Sequence, residues 1–135
     1  MAKLSVPFVL LLGFLLPGCG ADACNDKLIS EVSSPDGAAR ALPFQRDCGA
    51  TTGFSTQISI VGPGRLSGGG NAFVADDDHG AAAAAPWGGP WAEMRWTSPT
   101  HLLIRYDEKA RVFKSEGRVG TVSVSFEKEA PPSSR

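Results

Sequence analysis

The fold class is decided by the stretch Phe54-Ser55-Thr56-Gln57-Ile58-Ser59-Ile60-Val61, whose residues alternate with a period of two. One parity carries Phe54, Thr56, Ile58 and Ile60, and the other carries Ser55, Gln57 and Ser59. Alternation of this kind predicts a β-strand that lies with one face against a core.

Similar segments recur along the chain, at residues 27–33, 38–46, 72–75, 91–96, 101–106, 111–114 and 119–126. Ser34-Pro35-Asp36-Gly37 is a strong turn between two of them, because proline presets φ and glycine accepts positive φ. The pattern predicts an all-β fold: a single small antiparallel β-sandwich, roll or curved sheet of about seven short strands. No segment supplies the crossover helices that a parallel sheet is expected to need.

The segment 38–46 contains a proline within its alternation. Leu42 and Phe44 share one face of this predicted strand, since they lie two residues apart. Pro43 cannot donate a hydrogen bond to a neighbouring strand. We therefore expect this strand at a sheet edge or with a bulge.

The composition agrees with one β domain and excludes several classes of protein. The chain has 135 residues, 16 Gly, 10 Pro, 13 Lys+Arg and 14 Asp+Glu, with a formal net charge of −1. A nucleic-acid-binding domain normally carries a clustered basic excess, so no nucleic-acid partner is expected. The hydrophobic fraction of 42% is too high for a fully disordered chain.

The N-terminal segment has the pattern of a signal peptide. Lys3 precedes an apolar run over residues 4–16, which is shorter than the roughly 20 residues that a spanning helix needs. The run ends in Leu16-Pro17-Gly18-Cys19, which resembles the lipobox of bacterial lipoproteins, although Pro17 departs from the usual pattern. The resemblance implies diacylation of Cys19 and a membrane anchor.

A second reading of the same segment remains open. Ala21-Asp22-Ala23 is a small-x-small signal for ordinary secretory cleavage, which would leave a soluble secreted or periplasmic protein. The lipoprotein reading divides the chain into a signal peptide (1–18), a tether (19–26), a β domain (27–127) and a disordered tail (128–135), whereas secretory cleavage would fall after Ala23.

The three cysteines fit either reading. Lipidation or removal of Cys19 leaves Cys24 and Cys48 as a pair. In an oxidising compartment an even number of thiols predicts a disulfide bond; two free buried thiols are the alternative. A zinc site is disfavoured, because the spacing lacks a CxxC and the chain has only 2 His.

The most conspicuous polar cluster is Asp76-Asp77-Asp78-His79. Adjacent carboxylates could bind a hard cation such as Ca²⁺. The alternating D-x-D-x-D-G pattern of an EF-hand is absent, and successive side chains of an extended chain point to opposite sides. We therefore expect a solvated acidic loop and keep the four residues as weak metal candidates.

No motif identifies an enzyme. A hydrolase could use His79 or His101 with a nearby aspartate, but the sequence has no G-x-S-x-G element. The glycines at 68–70 lack the GK[ST] of a phosphate-binding loop, so no cofactor is predicted. The expectation is a non-catalytic protein.

Two tryptophans flank a Gly-Gly-Pro loop and form a candidate binding surface. Trp87 and Trp91 could contact a ligand or protein, or could cap an end of the core. Trp96 alternates with polar neighbours and is predicted to be a core residue. Capping is the favoured interpretation for the first two.

Three further stretches carry a resemblance over most of the chain after the leader: Ser34-Pro35-Asp36-Gly37, the RDCGATT run at 46–52, and the SPTHLLI run at 98–104. Together they resemble an uncharacterised family of small exported proteobacterial proteins, often with a lipoprotein signal. The resemblance implies no reaction, cofactor or partner. It agrees with a cell-envelope protein that faces the periplasm or surface, anchored in the membrane by lipid, with a binding or structural role and an envelope protein as candidate partner.

Overall fold

The computed structural model describes residues 24–49, 52–63 and 69–133. The predicted signal peptide, the lipidation of Cys19 and the cleavage after Ala23 lie outside these residues. None of the described residues forms a helix long and apolar enough to cross a bilayer.

The described residues form ten strands and no helix, which confirms the all-β prediction. The strands are β1 (Asn25–Leu28), β2 (Val32–Ser33), β3 (Arg40–Asp47), β4 (Ser55–Val61), β5 (Phe73–Asp76), β6 (Ala92–Ser98), β7 (His101–Asp107), β8 (Arg111–Ser115), β9 (Arg118–Val119) and β10 (Val122–Glu129). Strand pairing therefore begins inside the predicted tether and continues into the predicted tail.

The strands form two sheets that pack face to face. Sheet I has the order β1-β3-β4-β5-β8, with β2 also paired to β3, and sheet II has the order β6-β7-β10-β9. All pairs in sheet I are antiparallel. The indole N–H of Trp96 in β6 joins the sheets by donating to the Val32 carbonyl at 2.9 Å. The sandwich alternative of the prediction is thus the observed one.

One pair of strands departs from the antiparallel expectation. β7 and β10 run parallel in sheet II, with Val124 opposite Leu102 and Phe126 opposite Ile104. The chain makes the crossover through β8, which belongs to sheet I. A strand of the opposite sheet therefore forms the crossover connection that an α-helix forms in most pairs of parallel strands.

The core lies between the two sheets. It contains Ala41, Ile58, Ile60, Ala72, Phe73, Ala75, Leu102, Ile104, Tyr106, Val122 and Val124. Phe73 of sheet I is fully buried. Its ring centroid lies 5.1 Å from that of Tyr106 and 6.0 Å from that of Phe126, both in sheet II. Phe73 is therefore the aromatic centre of the contact between the sheets.

Leu42 and Phe44 share a face as predicted, but it is the outer face of sheet I. The pairing sets Leu42 opposite Ser59 and Phe44 opposite Gln57, while Ala41 faces Ile60 in the core. Gly69 and Gly70, where the glycine-rich loop rejoins the sheet, lie on this outer face. The Gly70 amide donates to the Gln57 carboxamide oxygen at 3.0 Å. Polar residues of β4 are buried there for that reason.

The edge position predicted from Pro43 is wrong, because β3 has neighbours on both sides. The predicted irregularity is present, since the register shifts by one residue between the pairs Leu28–Phe44 and Val32–Ala41. The Pro43 carbonyl accepts a hydrogen bond from the Ile29 amide at 2.9 Å. The missing N–H points to the same side, where β1 has ended at Leu28 and β2 has not yet begun at Val32. An interruption in the neighbouring strand thus accommodates the proline.

Candidate functional site

A disulfide bond joins Cys24 and Cys48, as the cysteine count predicts. The two Cα atoms are 4.0 Å apart. The bond continues the pairing of β1 with β3 by one position, since Asn25 lies opposite Asp47. It therefore fixes the point at which the N-terminal segment leaves the domain.

A row of alternating charge crosses the outer face of sheet I beside the disulfide. Strand pairing aligns Asp26, Arg46, Ser55, Asp76 and Arg111, one from each of five strands. Arg46 donates to both oxygens of Asp26 at 2.7 Å. Arg111 donates to both oxygens of Asp76, at 3.1 and 2.6 Å. The row consists of two bidentate ion pairs with a hydroxyl between them.

The space between these ion pairs is a groove of about 480 Å³, which we call the outer groove. It is lined by Arg46, Cys48, Thr52, Gly53, Ser55, Val74, Asp76, Asp77, His79, Arg111 and Phe113. The Phe113 side chain is 60% exposed, and the Arg111 guanidinium lies 5.0 Å from its ring centroid. Hydrogen-bond donors, acceptors and one aromatic ring thus converge on a single concave surface.

The acidic loop forms one wall of the outer groove. Asp78 and His79 have positive φ angles of 50° and 56°, a conformation that aspartate and histidine tolerate better than most residues. The Asp78 amide donates to Asp76 Oδ1 at 3.0 Å. The Asp77 carboxylate accepts no hydrogen bond from the described residues and borders the groove. The loop therefore offers an unused acceptor to a ligand.

The four metal candidates do not converge as cation ligands. Arg111 and the Asp78 amide occupy the oxygens of Asp76. Asp78 Oδ1 lies 3.7 Å from Arg111 Nη1. Within the described ranges, no three His, Cys, Asp or Glu side chains are grouped to hold a metal ion. The arrangement favours ion pairing with arginine over cation binding.

Both aspartates of the row remain ionised more readily than usual. Hydrogen bonds from Arg46 are the main cause that lowers the pKa of Asp26, and its partial burial opposes them. At Asp76 partial burial is the largest single influence and raises the pKa. The Arg111 hydrogen bonds, the Asp78 amide and the charges of Arg111 and His79 together outweigh it, so the pKa is lowered. The charge alternation is therefore retained at mildly acidic pH.

The two histidines lie on different sheets. His79 borders the outer groove. His101 in β7 lies on the outer face of sheet II, where its Nε2 is 2.7 Å from the Ser125 hydroxyl. The hydrolase alternative needs a histidine hydrogen-bonded to a carboxylate. Among the described residues neither imidazole makes such a hydrogen bond. The geometry gives that alternative no support.

The two tryptophans of the candidate binding surface lie in separate depressions on either side of Pro86. Trp87 donates its indole N–H to the buried Thr56 hydroxyl at 3.0 Å, and its carbonyl accepts a hydrogen bond from Gln45. Trp91 lies beside Ala85 and Pro131. They do not form one surface, and the contacts of Trp87 agree with capping of the sandwich.

Sequence reasoning missed the arginines of the outer groove. Arg46 and Arg111 are 65 positions apart in the sequence, and only the strand register brings them into one row. The available signal was the parity of Arg46 with Leu42 and Phe44 within β3. This parity places the three side chains on one face of the strand, but it does not identify the aspartates that pair with the arginines.

These features define the class of the protein as a disulfide-bonded, two-sheet β-sandwich with a polar groove on one outer face. Comparisons with family models, curated proteins and solved structures found no match to the chain.

Proposed function

We propose that this chain is a lipid-anchored binding module of the bacterial cell envelope, and that the outer groove holds its ligand. The disulfide supports export, because such bonds persist in oxidising compartments. The apolar leader and the lipobox-like sequence before Cys19 support attachment to a membrane.

The convergence of polar groups in the outer groove is the observation that carries the binding role. A concave surface with a few convergent polar side chains is the usual form of a ligand site. The Asp77 carboxylate can accept hydrogen bonds from a ligand and the Arg111 guanidinium can donate them. The Ser55 hydroxyl accepts a hydrogen bond from Gln57 Nε2 at 3.0 Å and can donate its own proton. The exposed Phe113 ring adds an apolar surface.

This set of groups favours a neutral, polyhydroxylated ligand such as a saccharide. Sugar hydroxyls both donate and accept hydrogen bonds, and a sugar ring presents C–H groups that pack against an aromatic side chain. A free anion is disfavoured, because each arginine is already neutralised by an aspartate. A cation is disfavoured because both carboxylate oxygens of Asp76 accept hydrogen bonds from Arg111.

The test is an NMR titration of the ¹⁵N-labelled protein with a panel of short saccharides that includes N-acetylated amino sugars. We expect shifts of groove amides, and Asp77→Asn is expected to weaken binding about tenfold, the value of one hydrogen bond to a charged group. Glu127→Gln removes a carboxylate from the outer face of sheet II and is the matched control.

Two results of this titration would contradict the proposal. One is the absence of groove shifts with every saccharide. The other is an equal affinity in the Asp77→Asn and Glu127→Gln variants. Shifts caused by inorganic phosphate instead of saccharide would overturn the assigned ligand class.

A further inference from the structure

An apolar depression lies at the β1 edge of sheet I, beyond the outer groove. It encloses about 240 Å³ and is lined by Lys27, Leu28, Ile29, Pro86 and Trp87. We call these five residues the Leu28 patch. The Leu28 side chain is 55% exposed. It is the one large apolar residue of β1, and the strand leaves it in contact with solvent.

Trp87 borders this depression from the other face of the β1 edge. Leu28 lies opposite Phe44 on the outer face, whereas the Trp87 carbonyl accepts a hydrogen bond from Gln45, which has the opposite parity. The only polar side-chain atom of Trp87, the indole nitrogen, is satisfied inside the domain by the Thr56 hydroxyl at 3.0 Å. The exposed part of the ring therefore carries no unsatisfied donor. Pro86 beside it is exposed as well, and neither residue is needed by the outer groove.

The charges around the Leu28 patch are balanced except for one cation. Asp26 is paired with Arg46 at 2.7 Å, and Glu31 is paired with Arg40 at 3.2 Å. Lys27 has no ion pair within the described part of the chain. The patch thus combines apolar side chains with one free positive charge, a combination that fits a phospholipid surface with anionic headgroups.

The proposed anchor keeps this patch close to a membrane. Five residue steps separate Cys19 from Cys24, and an extended chain covers at most about 3.5 Å per step, or about 18 Å. The disulfide fixes Cys24 to Cys48. From Cys24 the strand reaches Leu28 in four steps of about 3.3 Å, or about 13 Å. Leu28 thus stays within about 30 Å of the lipid attachment point.

We infer that the Leu28 patch docks on the phospholipid leaflet that holds the anchor and orients the domain with its β1 edge towards the membrane. This inference rests on the proposed lipidation of Cys19. The opposite edge of sheet I is β8, which carries Phe113. In this orientation the β8 side of the outer groove faces away from the leaflet and stays open to a ligand.

The test uses the lipidated protein reconstituted into vesicles of phosphatidylethanolamine and phosphatidylglycerol, with and without brominated acyl chains. Brominated chains quench tryptophan fluorescence on contact. We expect quenching of the wild-type protein and its loss in Trp87→Phe. Trp96→Phe is the matched control and should retain quenching, because Trp96 bonds to Val32 between the sheets.

A second variant guards against a folding effect at Trp87. Leu28→Ser changes an exposed side chain and is expected to lower the ratio of docked to undocked domain about tenfold, with an unchanged circular dichroism spectrum. Unquenched protein that still floats with the vesicles would overturn the inference and leave the anchor intact. Equal quenching in wild type, Leu28→Ser and Trp87→Phe would also overturn it. Failure to float at all would contradict the proposed function itself.

Discussion

Replacing Phe73 by alanine is expected to lower the free energy of unfolding by about 3 to 5 kcal/mol. The ring is fully buried and lies within 5.1 Å of the Tyr106 ring and 6.0 Å of the Phe126 ring, measured between centroids. Its removal leaves a cavity between the two sheets that relaxation of the surrounding residues closes only in part. Because small domains are stable by only about 5 to 15 kcal/mol, this variant should unfold at a much lower urea concentration.

Phe113→Ala is the matched control for this prediction. The same side chain is removed from β8, where it is 60% exposed, and surface substitutions usually change stability by about 0.5 kcal/mol or less. Urea unfolding followed by tryptophan fluorescence measures both variants. Equal losses of stability at Phe73 and Phe113 would show that the contact between the sheets is not the core of the fold.

Loss of the disulfide bond is expected to be the second large effect. Cys24 and Cys48 are 24 positions apart, and closure of a loop of this length stabilises the folded state by about 3 kcal/mol in the chain-entropy model. The double variant Cys24→Ser/Cys48→Ser should therefore melt about 10 to 20 °C below the oxidised protein. Differential scanning calorimetry measures the difference directly.

A reducing agent supplies the control for the disulfide. It should lower the melting temperature of the wild-type protein to that of the double variant and leave the double variant unchanged. Identical melting of oxidised and reduced protein, with two free thiols verified by alkylation, would contradict the stabilising role. The β1 strand would then be held by its pairing with β3 alone.

The strand positions were predictable from the sequence because alternation is a local property. Thr56, Ile58 and Ile60 alternate in sequence and point into the sandwich in the structure. Phe54 shares their parity but precedes β4 and is 41% exposed. Alternation therefore identifies a strand more reliably than it identifies the strand's first residue.

The choice of face was not predictable at β3, because its outer face is covered as well: Leu42 and Phe44 are only 9% and 8% exposed. Leu42 and Phe44 are apolar and share a face, yet the core contains Ala41 on the other parity. The Ser59 hydroxyl donates to the Gly69 carbonyl at 2.5 Å. The end of the glycine-rich loop therefore covers this part of the outer face of sheet I. A local pattern does not reveal a loop that folds over a sheet from several residues away.

The outer groove and the parallel pairing share one physical cause. Both depend on the register between strands that are distant in sequence, such as β7 with β10 and β5 with β8. The acidic loop was identified as a candidate site from the sequence, but its partner Arg111 was not. The register between distant strands depends on how the whole domain packs. A search for local motifs contains no information about that packing.

The proposed export and lipidation of the chain are tested by mass spectrometry of the protein expressed with its own leader in a bacterial host. We expect an N-terminal peptide that begins at Cys19 with a diacylglyceryl group on its sulfur, and a Cys24 peptide linked to a Cys48 peptide. A chain that retains Met1 with free thiols, or one that begins at Cys24 without lipid, would contradict the proposal.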